Sequence, residues 1–156
     1  GDTLDPDFEG LYIWSNNVNT LSLANDLADL HELCRQLKTY NIGIAALQEL
    51  NIDMTQTSIY KRVKAVFDEH FDRQCILVCS STAIRSETNW KPGSTLIVVL
   101  PTWTPYVVAR SRDELGRWCS VTLQVKDYRQ IAFYSYYNCC KTRIEQSGLH
   151  TILAQP

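Results

Sequence analysis

The chain has 156 residues, a formal net charge of −2, and 45% hydrophobic and 21% charged residues. This length suits one domain with a real core, and the composition is ordinary for a soluble globular protein. The slight excess of acidic groups argues against bulk electrostatic capture of nucleic acid, although a locally basic face is compatible with it. Because no apolar run is long enough to cross a bilayer, we expect no membrane partner.

The six cysteines are even in number, but their surroundings favour free thiols over disulfides. Cys75, Cys79 and Cys119 lie in apolar, strand-like runs, and Cys34 lies on the apolar stripe of a predicted helix. This placement is typical of small core side chains in a reduced protein. The first residues are acidic and unlike a secretion signal, so we predict an intracellular protein, either nuclear or cytoplasmic.

The hydrophobic pattern predicts strands and helices along most of the chain. Predicted strands cover residues 11–14, 42–48, 75–79, 94–100, 106–109, 118–125 and 130–136, with turns at 113–116 and 126–129. One helix is predicted from an N-cap at Asn25 to an end at Asn41, and a second over residues 57–70. The order βαβα followed by a run of strands predicts an α/β layered domain, with a mixed or antiparallel sheet and helices on the outside.

The stretch Leu47-Gln48-Glu49 brings a carboxylate to the end of a buried-looking strand. This is where α/β proteins place metal ligands and acid/base groups, although a solvated glutamate at a strand end is the competing explanation. Asn17 and Asn19 follow the first strand, where they serve either as turn residues or as amide ligands. If the two strands are parallel, their loops emerge at one sheet edge, and Asn17, Asn19 and Glu49 come together there.

The second predicted helix carries three cations, Lys61, Arg62 and Lys64. Cations on a helix can contact phosphate groups, but most such runs are a solvated helix face. We therefore keep both interpretations for these residues, with the solvated face favoured.

With the strands and helices placed, five short segments spread over most of the chain stand out as motifs. They are Asn17-Val18-Asn19-Thr20-Leu21, Leu47-Gln48-Glu49, Pro92-Gly93-Ser94-Thr95, Leu115-Gly116-Arg117 and the strand from Asp127 to Tyr137. In these segments, which occur in family order, the chain resembles the N-terminal half of the endonuclease/exonuclease/phosphatase superfamily, and most closely apurinic-type endonucleases and the endonuclease domains of non-LTR retroelements.

The resemblance implies a Mg²⁺-dependent phosphodiester hydrolase of the endonuclease type, built as a sandwich of two sheets. Glu49 would hold the Mg²⁺ or Mn²⁺ ion, with Asn19 near the metal, where some relatives carry Asp. Asn17 and Tyr137 would be the catalytic residues, Asn17 positioning the network and Tyr137 contacting the scissile phosphate. Oxygen ligands suit Mg²⁺, which offsets charge on phosphorus. The implied partner is nucleic acid, with DNA favoured. Arg117 would contact phosphate or bond a neighbouring loop.

The chain also departs from the family pattern. Thr20 stands where the family has Gly, and the Gly-Asp-x-Asn and Ser-Asp-His motifs are missing; His150 lacks the flanking residues of the second motif. We therefore expect residues 1–156 to be a single domain that forms the N-terminal part of an incomplete hydrolase, resembling one half of a four-layer α/β sandwich. The alternative is a catalytically inactive relative that binds nucleic acid or protein.

A half-sandwich has consequences for the surface. The inner face of its sheet would be apolar and exposed unless something covers it. We expect either the missing C-terminal half or a second copy of the chain to do so.

Overall fold

The structure is a computed structural model that describes residues 10–82 and 93–137. Two helices and seven strands organise this part of the chain. They are β1 (Tyr12–Asn17), α1 (Ala28–Thr39), β2 (Ile42–Gln48), α2 (Thr57–Phe71), β3 (Ile76–Ser80), β4 (Thr95–Val99), β5 (Val107–Arg112), β6 (Trp118–Gln124) and β7 (Gln130–Tyr136). No helix in the described ranges is long and apolar enough to cross a membrane.

The strands form two separate sheets. The first has the order β1-β2-β4-β3, in which β1 and β2 are parallel and the other neighbours are antiparallel. The second is antiparallel, in the order β5-β6-β7. The parallel pair joined through α1 confirms the predicted βαβ unit, and the mixed and antiparallel sheets with helices confirm the predicted α/β class.

The central strands of the first sheet are covered on both faces, which explains why β2 and β4 are almost continuously apolar. Alternate residues of a strand point to opposite faces, so each strand contributes to two cores. On one face Leu47 and Val98 pack with Val63 and Phe67 of α2. On the other face a second set packs between the two sheets: Ile44, Ala46, Ile97 and Val99 of the first sheet with Cys119, Val121 and Leu123 of β6.

This arrangement partly corrects the expectation of an open inner face. The face of the first sheet that points away from the helices is covered by β5–β7 over β2, β4 and β3, because that hairpin run folds back as a second layer. On the edge strand β1, Ile13 lies on the same face as Ile44 and is 53% exposed. Further exposed aromatic surface lies on the outer face of the second sheet. There Tyr134 and Tyr136 are 65% and 58% exposed, and the ring of Trp118 lies 6.0 Å from that of Tyr134. Hairpin spacing predicts strands but does not tell which sheet they join.

The start of the first helix also differs from the prediction. Asn25 does not cap it: residues 25–27 form a 3₁₀ turn with φ angles of 50°, 52° and 61°, and α1 begins at Ala28 without a side-chain cap. The left-handed backbone breaks the helical path, and burial of Leu27 in the core anchors the turn.

The cysteines in the described ranges occupy the core, as predicted. Cys34, Cys75, Cys79 and Cys119 are buried free thiols. Burial raises the pKa of Cys34, Cys75 and Cys119 to about 12, so these thiols stay protonated at neutral pH. The side chains act as small apolar residues.

Candidate active site at the ends of β1 and β2

The parallel pairing of β1 and β2 continues beyond the two strands. The N–H of Val18 donates to the Gln48 carbonyl at 3.0 Å, that of Thr20 to the Glu49 carbonyl at 2.8 Å, and that of Leu21 to the Leu50 carbonyl at 2.9 Å. These bonds hold the segment containing Asn17 and Asn19 beside Glu49. The carboxylate and the two amides thus share one edge of the sheet.

Left-handed backbone is concentrated at this edge. Asn19, Thr20, Glu49 and Asn51 have φ angles of 46°, 82°, 54° and 52°. Asparagine tolerates this conformation, but a β-branched residue there is strained. Thr20 is the position at which the resembling family has Gly, and the positive φ gives a physical reason for that preference.

Asn51 ties the strained turns together. Its Nδ2 donates to the Thr20 hydroxyl at 2.9 Å, and its Oδ1 accepts from the Gly93 N–H at 2.9 Å. Its own N–H donates to the Gly93 carbonyl at 2.9 Å. Asn51 is 8% exposed, so these bonds satisfy a nearly buried amide. We did not predict this role, because an asparagine after a strand reads as ordinary turn chemistry.

Gln48 connects the two sheets just behind Glu49. Its Nε2 donates to the Ser15 hydroxyl of β1 at 3.2 Å and to the Ser135 hydroxyl of β7 at 3.0 Å. Ser135 is 1% exposed and lies two residues before Tyr137. The Gln48 amide therefore sets the strand that leads to Tyr137 against the strand that leads to Glu49. Sequence distance concealed this contact, since 87 residues separate the partners.

Tyr137 lies at the same end of the molecule. Its N–H donates to the Arg117 carbonyl at 2.7 Å. Its ring packs over Gly93, where an added Cβ would stand 3.7 Å from the ring. Because Gly93 is also the partner of Asn51, a short chain of contacts joins Tyr137 to the loop after Glu49.

Arg117 is held by a carboxylate. Its Nε donates to Asp113 at 2.6 Å and its backbone N–H to the same side chain at 2.9 Å. Burial opposes ionisation of Asp113, but hydrogen bonds from Ser80, Arg117 and Trp118 outweigh it and lower the pKa of this carboxyl. The pairing favours the structural alternative for Arg117.

Two of the three α2 cations are engaged elsewhere. Arg62 donates to the Leu23 carbonyl at 3.0 Å, and Lys64 pairs with Asp68 at 2.6 Å. Because Arg62 and Lys64 already have partners within the chain, the solvated helix face is favoured over phosphate contact by these cations.

The oxygen-bearing side chains at this edge differ in exposure. Glu49 is half-buried, Asn17 and Asn19 are exposed, and Asn17 Oδ1 accepts the Asn19 N–H at 3.0 Å. In residues 10–82 and 93–137, no three His, Cys, Asp or Glu side chains cluster as ligands. One carboxylate with neighbouring amides fits Mg²⁺, which keeps several waters and takes further oxygens from a phosphate substrate. The donor set fits zinc poorly.

Comparison with solved structures supports the fold. The chain is similar to an endonuclease/exonuclease/phosphatase family protein from Leptotrichia buccalis (TM-score 0.58, 16% identity, covering 94% of this chain and 63% of that one). It is similar to an AP endonuclease from Leishmania major (0.61, 14%, 96% and 46%) and to the human Nocturnin catalytic domain, solved with bound sulfate (0.53, 15%, 96% and 60%). No protein-family profile and no curated protein matches the sequence.

These similarities confirm the resemblance at the level of the fold. The chain has the endonuclease/exonuclease/phosphatase fold and spans roughly half to three-fifths of the length of these structures.

Proposed function

We propose that this chain is the N-terminal part of a divalent-metal-dependent phosphodiester hydrolase that acts on nucleic acid, with DNA as the favoured substrate. The observation that carries the proposal is the placement of Glu49 beside Asn17 and Asn19 by the extended β1–β2 pairing. The fold shared with an AP endonuclease gives the arrangement its chemical context.

In this proposal Glu49 holds Mg²⁺ or Mn²⁺, and the amide oxygen of Asn19 lies in its neighbourhood. The bound ion supplies charge stabilisation for the phosphate that is cleaved. Asn17 orients the groups at the edge, and its hydrogen bond to the Asn19 N–H keeps that loop in place. Tyr137 contributes a hydroxyl for contact with a phosphate oxygen, with Gly93 leaving room for its ring.

The proposal also holds that residues 1–156 form one incomplete domain of an intracellular protein. The outer face of β5–β7 supports the incompleteness of the domain, because Tyr134 and Tyr136 expose their rings there beside the half-buried Trp118. Contiguous apolar patches of this kind mark packing or partner surfaces. We propose that the remaining part of the domain, or a second copy of the chain, covers this face.

Nicking of supercoiled plasmid in Mg²⁺ tests the proposal. The unaltered protein is compared with its Glu49→Gln variant. Both are made in two lengths: as this chain, and as a polypeptide extended to the length of the similar structures. Asp127→Asn is the matched control, because it also removes one carboxylate charge isosterically but lies on the exposed turn between β6 and β7.

We expect the extended polypeptide to show metal-dependent nicking that falls by roughly 100-fold or more in Glu49→Gln and is unchanged in Asp127→Asn. This chain alone should nick weakly or not at all, because it lacks the Gly-Asp-x-Asn and Ser-Asp-His motifs. Equal nicking by the Glu49→Gln variant would overturn the metal role. Nucleic-acid or protein binding without hydrolysis in Mg²⁺ or Mn²⁺, even by the extended polypeptide, would support the inactive binding module instead.

A further inference from the structure

A groove of about 700 Å³ runs between the edge strands of the two sheets, away from the aromatic face. Its walls come from β3, from the end of β5 and from the loop that leads into α2. The lining includes Met54, Thr57, Ser81, Arg110, Arg112 and Glu114.

Two arginines face the groove from one side of β5. Arg110 and Arg112 of β5 pair with Val121 and Cys119 of β6. Directly paired residues point to the same face of a sheet, and Val121 and Cys119 point into the space between the two sheets. Both arginines therefore leave β5 on the side where the groove opens between the sheets. Two residues of a strand span about 6.7 Å, which sets the spacing of the charges along the groove. Among the residues that the structure describes, neither arginine forms an ion pair.

The other wall contains the N-terminal end of α2. α2 starts at Thr57, with no acidic residue in its first turn and no side-chain cap from Gln56, so the positive end of the helix dipole borders the groove. Two carboxylates belong to the lining. The negative charge of Asp113 is offset by Arg117, and its carboxylate also accepts from Ser80. Glu114 is then the lining carboxylate whose single charge opposes the two charges of Arg110 and Arg112.

One layer of hydrogen bonds separates the groove from the candidate active site. The Ser81 hydroxyl, on the groove wall, accepts from the Met54 N–H at 3.2 Å and lies 2.8 Å from the Ser94 hydroxyl. Ser94 follows Gly93, over which the Tyr137 ring packs. A strand lying in the groove would therefore lead toward the edge that carries Glu49.

We infer that this groove binds the phosphate backbone of a nucleic-acid strand, with Arg110 and Arg112 as the phosphate-contacting residues. The inference rests on the proposed function for its choice of ligand, since nucleic acid is the polyanion on which that site would act. It gives the chain a local basic surface despite its net charge of −2. Such contacts position a strand and carry no base specificity.

The test is fluorescence anisotropy with a labelled DNA duplex, measured without divalent metal between about 50 and 200 mM salt. The variant is Arg110→Ser with Arg112→Ser. The matched control is Lys126→Ser with Arg129→Ser, which removes the same charge from the exposed turn before β7, outside the groove. Circular dichroism melting verifies that both variants fold.

We expect the groove variant to bind roughly fivefold or more weakly than the control, and the slope of log affinity against log salt to fall by about 1.8, the value for two lost contacts. Equal affinities and slopes for the two variants would overturn the inference. So would absence of binding by the unaltered protein at low salt. The Glu49→Gln variant separates this result from the hydrolase proposal, because it should lose nicking and keep arginine-dependent binding.

Discussion

The edge that carries Glu49 and the outer face of β5–β7 are both exposed, but their surroundings differ. At the edge, Gln48 and Asn51 hold the exposed groups in place through hydrogen bonds to both sheets and to the loop before β4. On the outer face, Tyr134 and Tyr136 protrude from a plain antiparallel ladder. Polar groups that are exposed yet held in position are typical of a site, whereas exposed aromatics are typical of a surface that another element covers.

The largest effect on stability should come from the polar support of the edge. Asn51→Ala removes both side-chain bonds, leaves the Gly93 N–H without its acceptor, and places alanine in left-handed backbone. We expect a loss of about 3 kcal/mol in the free energy of unfolding. Urea denaturation measures it.

Asn16→Ala is the control for this change, because Asn16 is exposed on β1 and should cost less than about 0.5 kcal/mol. If the two variants lose equal stability, Asn51 does not support the edge.

A smaller, pH-dependent effect should come from the helix layer. His31 Nδ1 and His70 Nε2 lie 2.8 Å apart between α1 and α2, so one ring can donate a hydrogen bond to the other. Burial, His31 and Lys38 lower the pKa of His70, with Arg35 acting in the same direction and Glu69 opposing it. A lowered folded-state pKa gives stability that is present above the ordinary value of 6.5 and is lost as pH falls below it.

The melting temperature should therefore drop between neutral pH and about pH 5, and this drop should shrink in His70→Gln. A pH profile that His70→Gln leaves unchanged would show that the pair does not couple protonation to helix packing.

The smallest effect should come from the outer face. Tyr134→Ser with Tyr136→Ser should change the stability of this chain by less than about 0.5 kcal/mol per residue, because neither ring is buried. In a polypeptide extended to the length of the similar structures, or in a dimer, the same change should cost more, since burying an aromatic ring contributes about 2 kcal/mol.

Calorimetry and sedimentation of both forms would distinguish these cases. A large loss in a monomer of this chain would mean that the tyrosines already stabilise the fold without a covering partner.

Much of the fold follows from local pattern. The apolar stripes of α1 and α2 and the bounds of β7 could be predicted, because periodicity and turn residues act over short distances. The covering of the first sheet by the second could not, since β2 and β4 read as buried strands whatever covers them. The prediction of an N-cap at Asn25 was wrong for the opposite reason, because burial of Leu27 in the core outweighed the local capping signal.

The candidate site could likewise be predicted only in part. Glu49 and the asparagines were placed at one edge by the parallel βαβ geometry, which the pairing of β1 with β2 confirms. Gln48, Asn51 and Ser135 were not predicted as supports, because their partners lie up to 88 residues away and amide or hydroxyl side chains give no periodic signal. The roles of Glu49, Asn17, Asn19 and Tyr137 in chemistry stay predictions.

The most direct test of the central claim is a Mn²⁺ titration of the ¹⁵N-labelled protein, followed by paramagnetic broadening of its backbone amides. The claim predicts that broadening begins at residues 17–20 and 49–51 and weakens strongly in Glu49→Gln, while Asp127→Asn behaves as the unaltered protein. Broadening that starts elsewhere, or that Glu49→Gln leaves unchanged, would contradict a metal site at the ends of β1 and β2.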